Sequence, residues 1–312
     1  MKIVETKGLV KKYKDITAVD RVDLSINEGE IFGLLGPNGA GKSTIINLIT
    51  TVSNANAGEI LLFGKKLKSG SIEVKNKIGV VPQNLALYED FTGYENLKFF
   101  GEIYGLKGKE LKESIEYALE FAELDEFKNK KVSTYSGGMK RRLNIACAII
   151  HKPKLVIMDE PTVGIDPQSR NHILDGVRKL NKEGTTIIYT THYMDEVESL
   201  CSEIAIIDKG RLLARGSAEE LKSLISDKTT LNIKIPSNFI VNENELMDIK
   251  GVEKVLVDEE NSINITSIRE VNNLDKIIKY FNDKEMKIND IGYKEINLES
   301  VFLTLTGRSL RD

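Results

Sequence analysis

An apolar run, Glu30-Ile31-Phe32-Gly33-Leu34-Leu35, leads directly into Gly36-Pro37-Asn38-Gly39-Ala40-Gly41-Lys42-Ser43-Thr44. This junction restricts the fold more than any other feature of the chain. A buried strand, a glycine-rich loop and a helix must follow one another, as in a phosphate-binding α/β unit. The glycines let successive backbone N–H groups turn inward around phosphate oxygens, where side chains would obstruct the wrap. The helix adds its positive end, Lys42 a full charge, and Ser43 the hydroxyl expected on Mg²⁺, while Thr44 continues the helix start. A glycine turn that binds nothing is the rival. The bare pattern arises by chance in roughly one chain in a hundred, and its position between strand and helix favours phosphate binding further.

Composition narrows the setting. With 312 residues, 41% hydrophobic and 29% charged, the chain can bury one large core and one small one. A net charge of −3 and a pI near 5.9 leave no basic footprint, so no nucleic-acid partner is expected. The basic run Lys140-Arg141-Arg142 is short and reads as a solvated helix face. Cys147 and Cys201 are far apart within apolar patterns, suggesting neither a disulfide framework nor a metal site. A reducing cytoplasm fits them. His151 and His172 have no motif around them and read as surface residues. Met1-Lys2-Ile3-Val4-Glu5 lacks the apolar stretch of a signal peptide, and no window approaches the roughly 18 apolar residues of a membrane helix. Work at a membrane would require another chain to span it.

Two organisations meet near residues 217–229. Before them, strands and amphipathic helices alternate. Between Gln83 and Ser136 the pattern turns helical, with Leu111, Ile115, Ala118, Leu119 and Ala122 on one face, an inserted helical subdomain of about 84–150. Leu155 to Met158 and Thr185 to Thr190 read as strands, Asp166-Pro167 as a helix start, and Ser217-Ala218-Glu219-Glu220 as a capping box. Residues 1–225 thus read as one α/β domain and 226–312 as a small α+β domain. In the latter, Leu231 to Ile235, Val252 to Val257 and Ile263 to Thr266 are strands. Leu274, Ile277, Ile278 and Phe281 share a helix face, and Asn297 caps a helix that buries Leu298, Val301, Phe302 and Leu305 before Gly307.

Two further places carry chemistry. The strand Leu155-Val156-Ile157-Met158 ends in Asp159-Glu160, which puts a carboxylate near the phosphate loop, able to hold Mg²⁺ directly or through water. Taken singly, such a pair is usually just solvated. Ser136-Gly137-Gly138 opens a helix on which Met139, Leu143, Ala146 and Ile150 share a face, so its N–H groups form a second anion site. In isolation it would be a plain serine cap with two turn glycines.

Together these residues resemble the ATP-binding subunit of an ABC transporter, and the resemblance covers roughly residues 2–220. It implies a P-loop NTPase core of the ABC ATPase kind, with ATP and Mg²⁺ as ligands. By resemblance Glu160 is the general base that polarises the attacking water. Gln83, in Val80-Val81-Pro82-Gln83, senses Mg²⁺ and that water, so that Ser43, Gln83 and Asp159 attend the metal. His192, after Tyr189-Thr190-Thr191, contacts the γ-phosphate. Tyr13, in Lys11-Lys12-Tyr13-Lys14, stacks on adenine, with a core tyrosine as its rival. Ser136, Gly137, Gly138 and Asp166, in Gly164-Ile165-Asp166, meet the ATP of a partner subunit. The family's signature usually begins with Leu and ends with Gln, where this chain has Tyr135 and Met139, and the small residue two before Asp166 is Gly164.

The resemblance also implies a head-to-tail dimer, homomeric or with a paralogous subunit, enclosing two ATP at its interface. It would sit on the cytoplasmic face of the membrane and power a separate multi-span permease. The tail Ser300-Val301-Phe302-Leu303-Thr304-Leu305-Thr306-Gly307, with Arg308 and Arg311, is similar to that of drug, antibiotic-peptide and lipid or polysaccharide exporters. It either closes the small domain or stabilises a dimer. An importer ATPase, a soluble ABC ATPase acting on ribosomes and a chromosome ATPase are the alternatives. Against the last two stand the single cassette and the absence of sustained heptads.

Overall fold

Two long strands, β1 (Lys2–Tyr13) and β2 (Ile16–Asn27), open the chain and pair antiparallel. The alternating strand–helix reading does not foresee them. Val22, Leu24 and Ile26 alternate inward as a half-buried strand requires. Register shifts at Thr6/Leu9 and Leu9/Lys11, however, break the period of two along β1. The computed structural model describes residues 1–67, 71–225, 227–236, 239, 241–258, 262–294 and 297–307. These form two units, Met1–Ala218 and Glu219–Gly307.

In the first unit β3 (Ile31–Leu35) is buried throughout and runs through the glycine loop into α1 (Lys42–Ile49). β4 (Ala57–Leu62) and β5 (Lys65–Lys66) complete a four-stranded antiparallel sheet in the order β2-β1-β4-β5. A short α2 (Ile72–Lys75) precedes β6 (Ile78–Val81). The helical insert then supplies α3 (Gly93–Ile103), α4 (Gly108–Ala122) and α5 (Gly137–Ile149). β7 (Leu155–Asp159), α6 (Pro167–Lys182), β8 (Thr186–Thr190), α7 (Met194–Leu200), β9 (Glu203–Asp208) and β10 (Arg211–Gly216) follow.

The second sheet has the order β10-β9-β3-β8-β7-β6. Its strands are parallel except for β10, which returns antiparallel to β9. Leu9, Val22, Leu24 and Ile26 of one sheet and Leu34, Ile157, Ile188 and Ile207 of the other enclose Ile45, Leu48 and Ile49 of α1 in one core. Each such side chain contributes about 1.5–3 kcal/mol when fully buried. The register sets Leu34 and Asp159 beside Thr190, so the carboxyl ends of β3, β7 and β8 share one edge. In open parallel sheets ligands bind at that edge.

The insert has its own core, in which Leu97, Ile115, Ala118, Leu119, Val132, Leu143, Ala146 and Ile150 are buried together. It is less helical than the sequence suggests. Residues 82–92 form an irregular strap whose polar groups are satisfied by side chains: Tyr88 N donates to Asn96 Oδ1 at 2.9 Å, and Asn96 Nδ2 donates to the Tyr88 and Thr92 carbonyls at 3.0 Å each. Thr92 then starts α3 with a reciprocal capping box to Glu95.

Two surface assignments are overturned. The basic run is not a solvated face. Arg141 is only 5% exposed and donates to the strap carbonyls of Pro82 and Gln83, Arg142 donates to Ala122 O, and Lys140 pairs with Glu89. A non-helical strap leaves carbonyls that need donors, and α5 supplies them. Nor is His151 a surface residue. Its ring stacks on Tyr104 with centroids 3.5 Å apart, Nε2 donates to Ile78 O at 3.2 Å, and burial lowers its pKa to about 4. His172 is partly exposed, with Glu123 Oε1 3.4 Å away. Both cysteines are buried, and burial pushes both thiols well above their ordinary value.

At the junction α8 (Ala218–Ser223) forms where the sequence places a helix. The second unit then runs β11 (Lys228–Lys234), α9 (Glu243–Met247), β12 (Val252–Val257), β13 (Ser262–Ile268), α10 (Leu274–Asp283) and β14 (Asp290–Lys294). The antiparallel order β12-β13-β11-β14 makes this a β-α-β-β-α-β ferredoxin-like sheet. Leu231, Ile233, Val255, Ile263 and Ile265 pack with Leu246, Ile277 and Phe281. α9 and β14 are additions to the sequence reading, each only five residues long, the strand with Gly292 at its centre. α11 (Leu298–Thr306) is capped by Asn297, buries Leu298, Val301 and Phe302, and ends at Gly307 with φ +73°. Arg308 and Arg311 lie outside the described residues.

Candidate functional site

The loop between β3 and α1 can take its path only with glycine at its close approaches. Gly41 sits at φ +108°, and a Cβ there would run into the Ala18 carbonyl; one at Gly36 would run into that of Ile207. Pro37 and Ala40 are buried, while Asn38, Gly39 and Ser43 face outward with Thr44 half-buried. Gly41 caps α1 without any side-chain hydrogen bond, so no cap competes for the first-turn N–H groups. Lys42 is 8% exposed, and its Nζ donates to the Gly36 and Pro37 carbonyls at 2.5 and 3.2 Å. Burial pulls its pKa below the usual lysine value, an effect that the charges of Glu160 and Asp159 oppose. A buried ammonium held only by carbonyls suits an incoming anion.

Two carboxylates close the other side. Asp159 Oδ1 accepts from Thr190 Oγ1 at 2.6 Å, and Asp159 Oδ2 accepts from Ser43 Oγ at 3.4 Å. A hydroxyl beside a carboxylate is an oxygen donor set that fits Mg²⁺, which keeps waters and phosphate oxygens as its other ligands. Glu160 sits at φ +49°, a left-handed position that costs a non-glycine residue about 1–3 kcal/mol. Its N–H donates to both the carbonyl and the hydroxyl of Thr190, at 3.1 and 3.0 Å. The carboxylate is thereby turned toward Gln83, whose Nε2 donates to Glu160 Oε2 at 3.0 Å, and His192, whose Nδ1 lies 3.7 Å from the same oxygen. Lys42, Ser43, Gln83, Asp159, Glu160 and His192 therefore surround one space.

Supporting residues lay outside the sequence reading. Thr190 grips both acids, and a hydroxyl ending a buried strand beside the acidic one was the available signal. Behind His192, the fully buried Glu196 accepts from Tyr189 Oη at 2.9 Å and from Arg170 Nε at 2.6 Å. The Arg170 guanidinium also lies 4.4 Å from the Tyr193 ring centre. No spacing rule reveals that bracket.

Tyr13 is no core tyrosine. It is 45% exposed at the end of β1, with Lys11 Nζ 4.9 Å from its ring centre. Among the described residues no hydrogen bond joins it to the loop.

Ser136, Gly137, Gly138 and Asp166 form a separate set. Ser136 Oγ accepts from Met139 N at 3.2 Å and caps α5; Asp166 Oδ1 accepts from Ser169 N at 2.9 Å and caps α6. That backbone N–H holds the exposed Asp166 carboxyl below the usual range. The two helix starts abut: a Cβ at Gly138 would collide with Ser169 Oγ and lie 2.8 Å from its Cβ. The departures at 135 and 139 turn inward. Tyr135 is 6% exposed, its hydroxyl donating to Phe127 O at 2.7 Å, and Met139 packs on the insert core. Among the described residues no hydrogen bond links this set to Lys42, Asp159, Glu160 or His192.

Known proteins are similar to this chain. A family model described as "ABC transporter" matches residues 19–163. The linearmycin resistance ATP-binding protein LnrL of Bacillus subtilis is 43% identical over 99% of this chain and 100% of its own length. A Nod factor export ATP-binding protein of Cupriavidus metallidurans is 36% identical, with 99% of both chains covered. A dimeric ATP-binding cassette, solved in a post-hydrolysis state with ADP and Pi, superimposes with a TM-score of 0.63 at 29% identity, covering 69% of this chain and 98% of its own.

Proposed function

The chain belongs to the ABC transporter family as an ATP-binding, ATP-hydrolysing subunit of the export kind, and from that membership we propose how its residues divide the work. The N–H groups of the loop, the start of α1 and Lys42 hold the β- and γ-phosphates. Tyr13 offers its exposed ring to adenine. Ser43, Asp159 and Gln83 hold Mg²⁺, which when bound neutralises charge on the phosphate oxygens. Glu160 takes the proton of the attacking water, Gln83 and His192 orient around it, and the strained backbone at 160 keeps the carboxylate aimed inward.

One observation carries the dimer. Among the described residues α1 and α5 both open on the glycines of a candidate anion site, the second with Ser136 Oγ capping its Met139 N–H, but the carboxylates proposed as base and metal ligand gather at α1 and not at α5. Ser136, Gly137, Gly138 and Asp166 therefore serve the ATP of a second subunit, and two subunits meet head to tail around two ATP. ATP favours the closed pair, and hydrolysis reopens it.

No helix among the described residues is long and apolar enough to cross a membrane. The partner is a separate membrane-spanning permease, docked on the strap and the start of α3, where Leu85, Tyr88, Phe91 and Tyr94 are each 38–48% exposed. After the two named relatives, one a linearmycin resistance protein and the other a Nod factor export protein, the cargo moves outward and the chain sits at the cytoplasmic membrane face.

Glu160→Gln tests the sandwich. It should hydrolyse ATP about 10²–10⁴-fold more slowly and elute as a dimer with Mg-ATP on gel filtration; a persistent monomer at saturating ATP rejects the reading. Co-purification of a multi-span protein from native membranes tests the permease.

A further inference from the structure

Arg141 occupies a position that neither the phosphate loop nor the acidic pair explains. It lies on α5 just past Ser136, Gly137 and Gly138, 5% exposed. Its fork is spent on the strap: Nη1 donates to Pro82 O at 3.0 Å and Nη2 to Gln83 O at 2.8 Å. Nε is buried without a partner. Among the described residues no carboxylate lies within ion-pair distance of it. Asn144, three residues further along α5, accepts from Ala86 N at 3.1 Å, so α5 grips the strap at two points. Gln83 faces the other way with its side chain, donating to Glu160 Oε2 at 3.0 Å. A continuous series of bonds thus runs from the start of α5 through Arg141 and the Gln83 backbone to Glu160.

We propose that Arg141 is a positioning residue that couples the two ATP sites of the dimer. The inference rests on the head-to-tail reading above. In that assembly the start of α5 meets the partner's ATP while Arg141, on the same rigid helix, sets Gln83 and through it Glu160 in the subunit's own site. Occupation of one site therefore aligns the base in the other. A planar fork can hold two consecutive carbonyls at once, whereas lysine presents a single point of charge. A buried guanidinium without an acid partner also ties the strap to α5, because separation would leave the cation without acceptors.

The experiment is a double-mutant cycle on steady-state ATPase, recording kcat and the Hill coefficient for ATP in the wild type, Arg141→Lys, Gln83→Ala and the double variant. The wild type should be sigmoidal. Arg141→Lys should bring the Hill coefficient to about 1 and lower kcat about two- to thirtyfold. In the Gln83→Ala background the same change should have no further effect on kcat, which a general structural role would not produce. A wild-type Hill coefficient of 1, one that Arg141→Lys leaves unchanged, or equal losses in both backgrounds would overturn the coupling. If Arg141→Lys does not fold, Arg141→Gln, neutral and able to reach one carbonyl, runs the same cycle. Gel filtration of Glu160→Gln with Mg-ATP separates the two failures: a monomer removes the dimer itself, whereas a dimer beside an uncoupled cycle removes only the role of Arg141.

Discussion

Lowering the pH should destabilise this protein through His151. Its neutral ring is fixed between Tyr104 and the Ile78 carbonyl, and Nδ1 is buried with no acceptor for a proton. Burial takes its pKa from the ordinary 6.5 to about 4. The unfolded chain therefore binds this proton first, so stability is full above pH 6.5 and is lost as pH falls from there toward 4. Between pH 7.5 and 5.0 the linkage comes to about 2 kcal/mol for a fully dry ring and about 1–2 kcal/mol for one that keeps some solvent contact. His151→Phe keeps the stack but cannot titrate. It forfeits about 0.5–1.5 kcal/mol of hydrogen bonding at every pH, so only the pH dependence distinguishes it. Urea denaturation of the ATP-free protein, followed by far-UV circular dichroism, reads the difference. The chain has no tryptophan to follow instead. Wild type should lose about 1–2 kcal/mol more than His151→Phe on going from pH 7.5 to 5.0. Equal losses, or a smaller one in the wild type, would refute the buried neutral ring.

Lys42→Met should abolish the ATP-induced rise in melting temperature, worth about 2.7 kcal/mol in the wild type at a hundredfold excess over Kd. Its ATP-free melting point should not fall, because burial opposes the lysine charge; differential scanning fluorimetry checks both. Gly138→Ala should lower ATPase activity at least about tenfold by forcing the α5 start off Ser169, and Ser169→Gly in the same chain should restore part of it. Failure of that rescue would mean that the contact does not set the position of α5.

The residues gathered at the candidate site were legible because they lie in short, local patterns. A loop that must expose N–H groups needs glycine, and an acid at the end of a buried strand stands out against Leu155, Val156, Ile157 and Met158. The scaffolding was less legible, because it depends on long-range pairing. Thr190 bonds across 31 residues to Asp159, and Arg141 across 58 to Gln83. No periodicity encodes a buried arginine inside a basic run: Lys140-Arg141-Arg142 has the composition of a wet helix face, and only the strap's unmet carbonyls make it otherwise. The paired strands β1 and β2 were obscured by bulges and charges, and β14 by a glycine at its centre. In the helical insert, Leu111, Ile115 and Ala118 were readable from spacing alone because one helix buries one face.

The two sealed cysteines make the chain almost silent to thiol reagents. Cys147 and Cys201 are shut inside, and burial suppresses their thiolates, so a maleimide at neutral pH finds little to attack. A single cysteine introduced on the surface would then carry the whole label, with no cysteine-free background to build first. Because that label occurs once per subunit, paired spin or fluorophore distances would come only from two copies brought together, and opening and closing could be followed turnover by turnover.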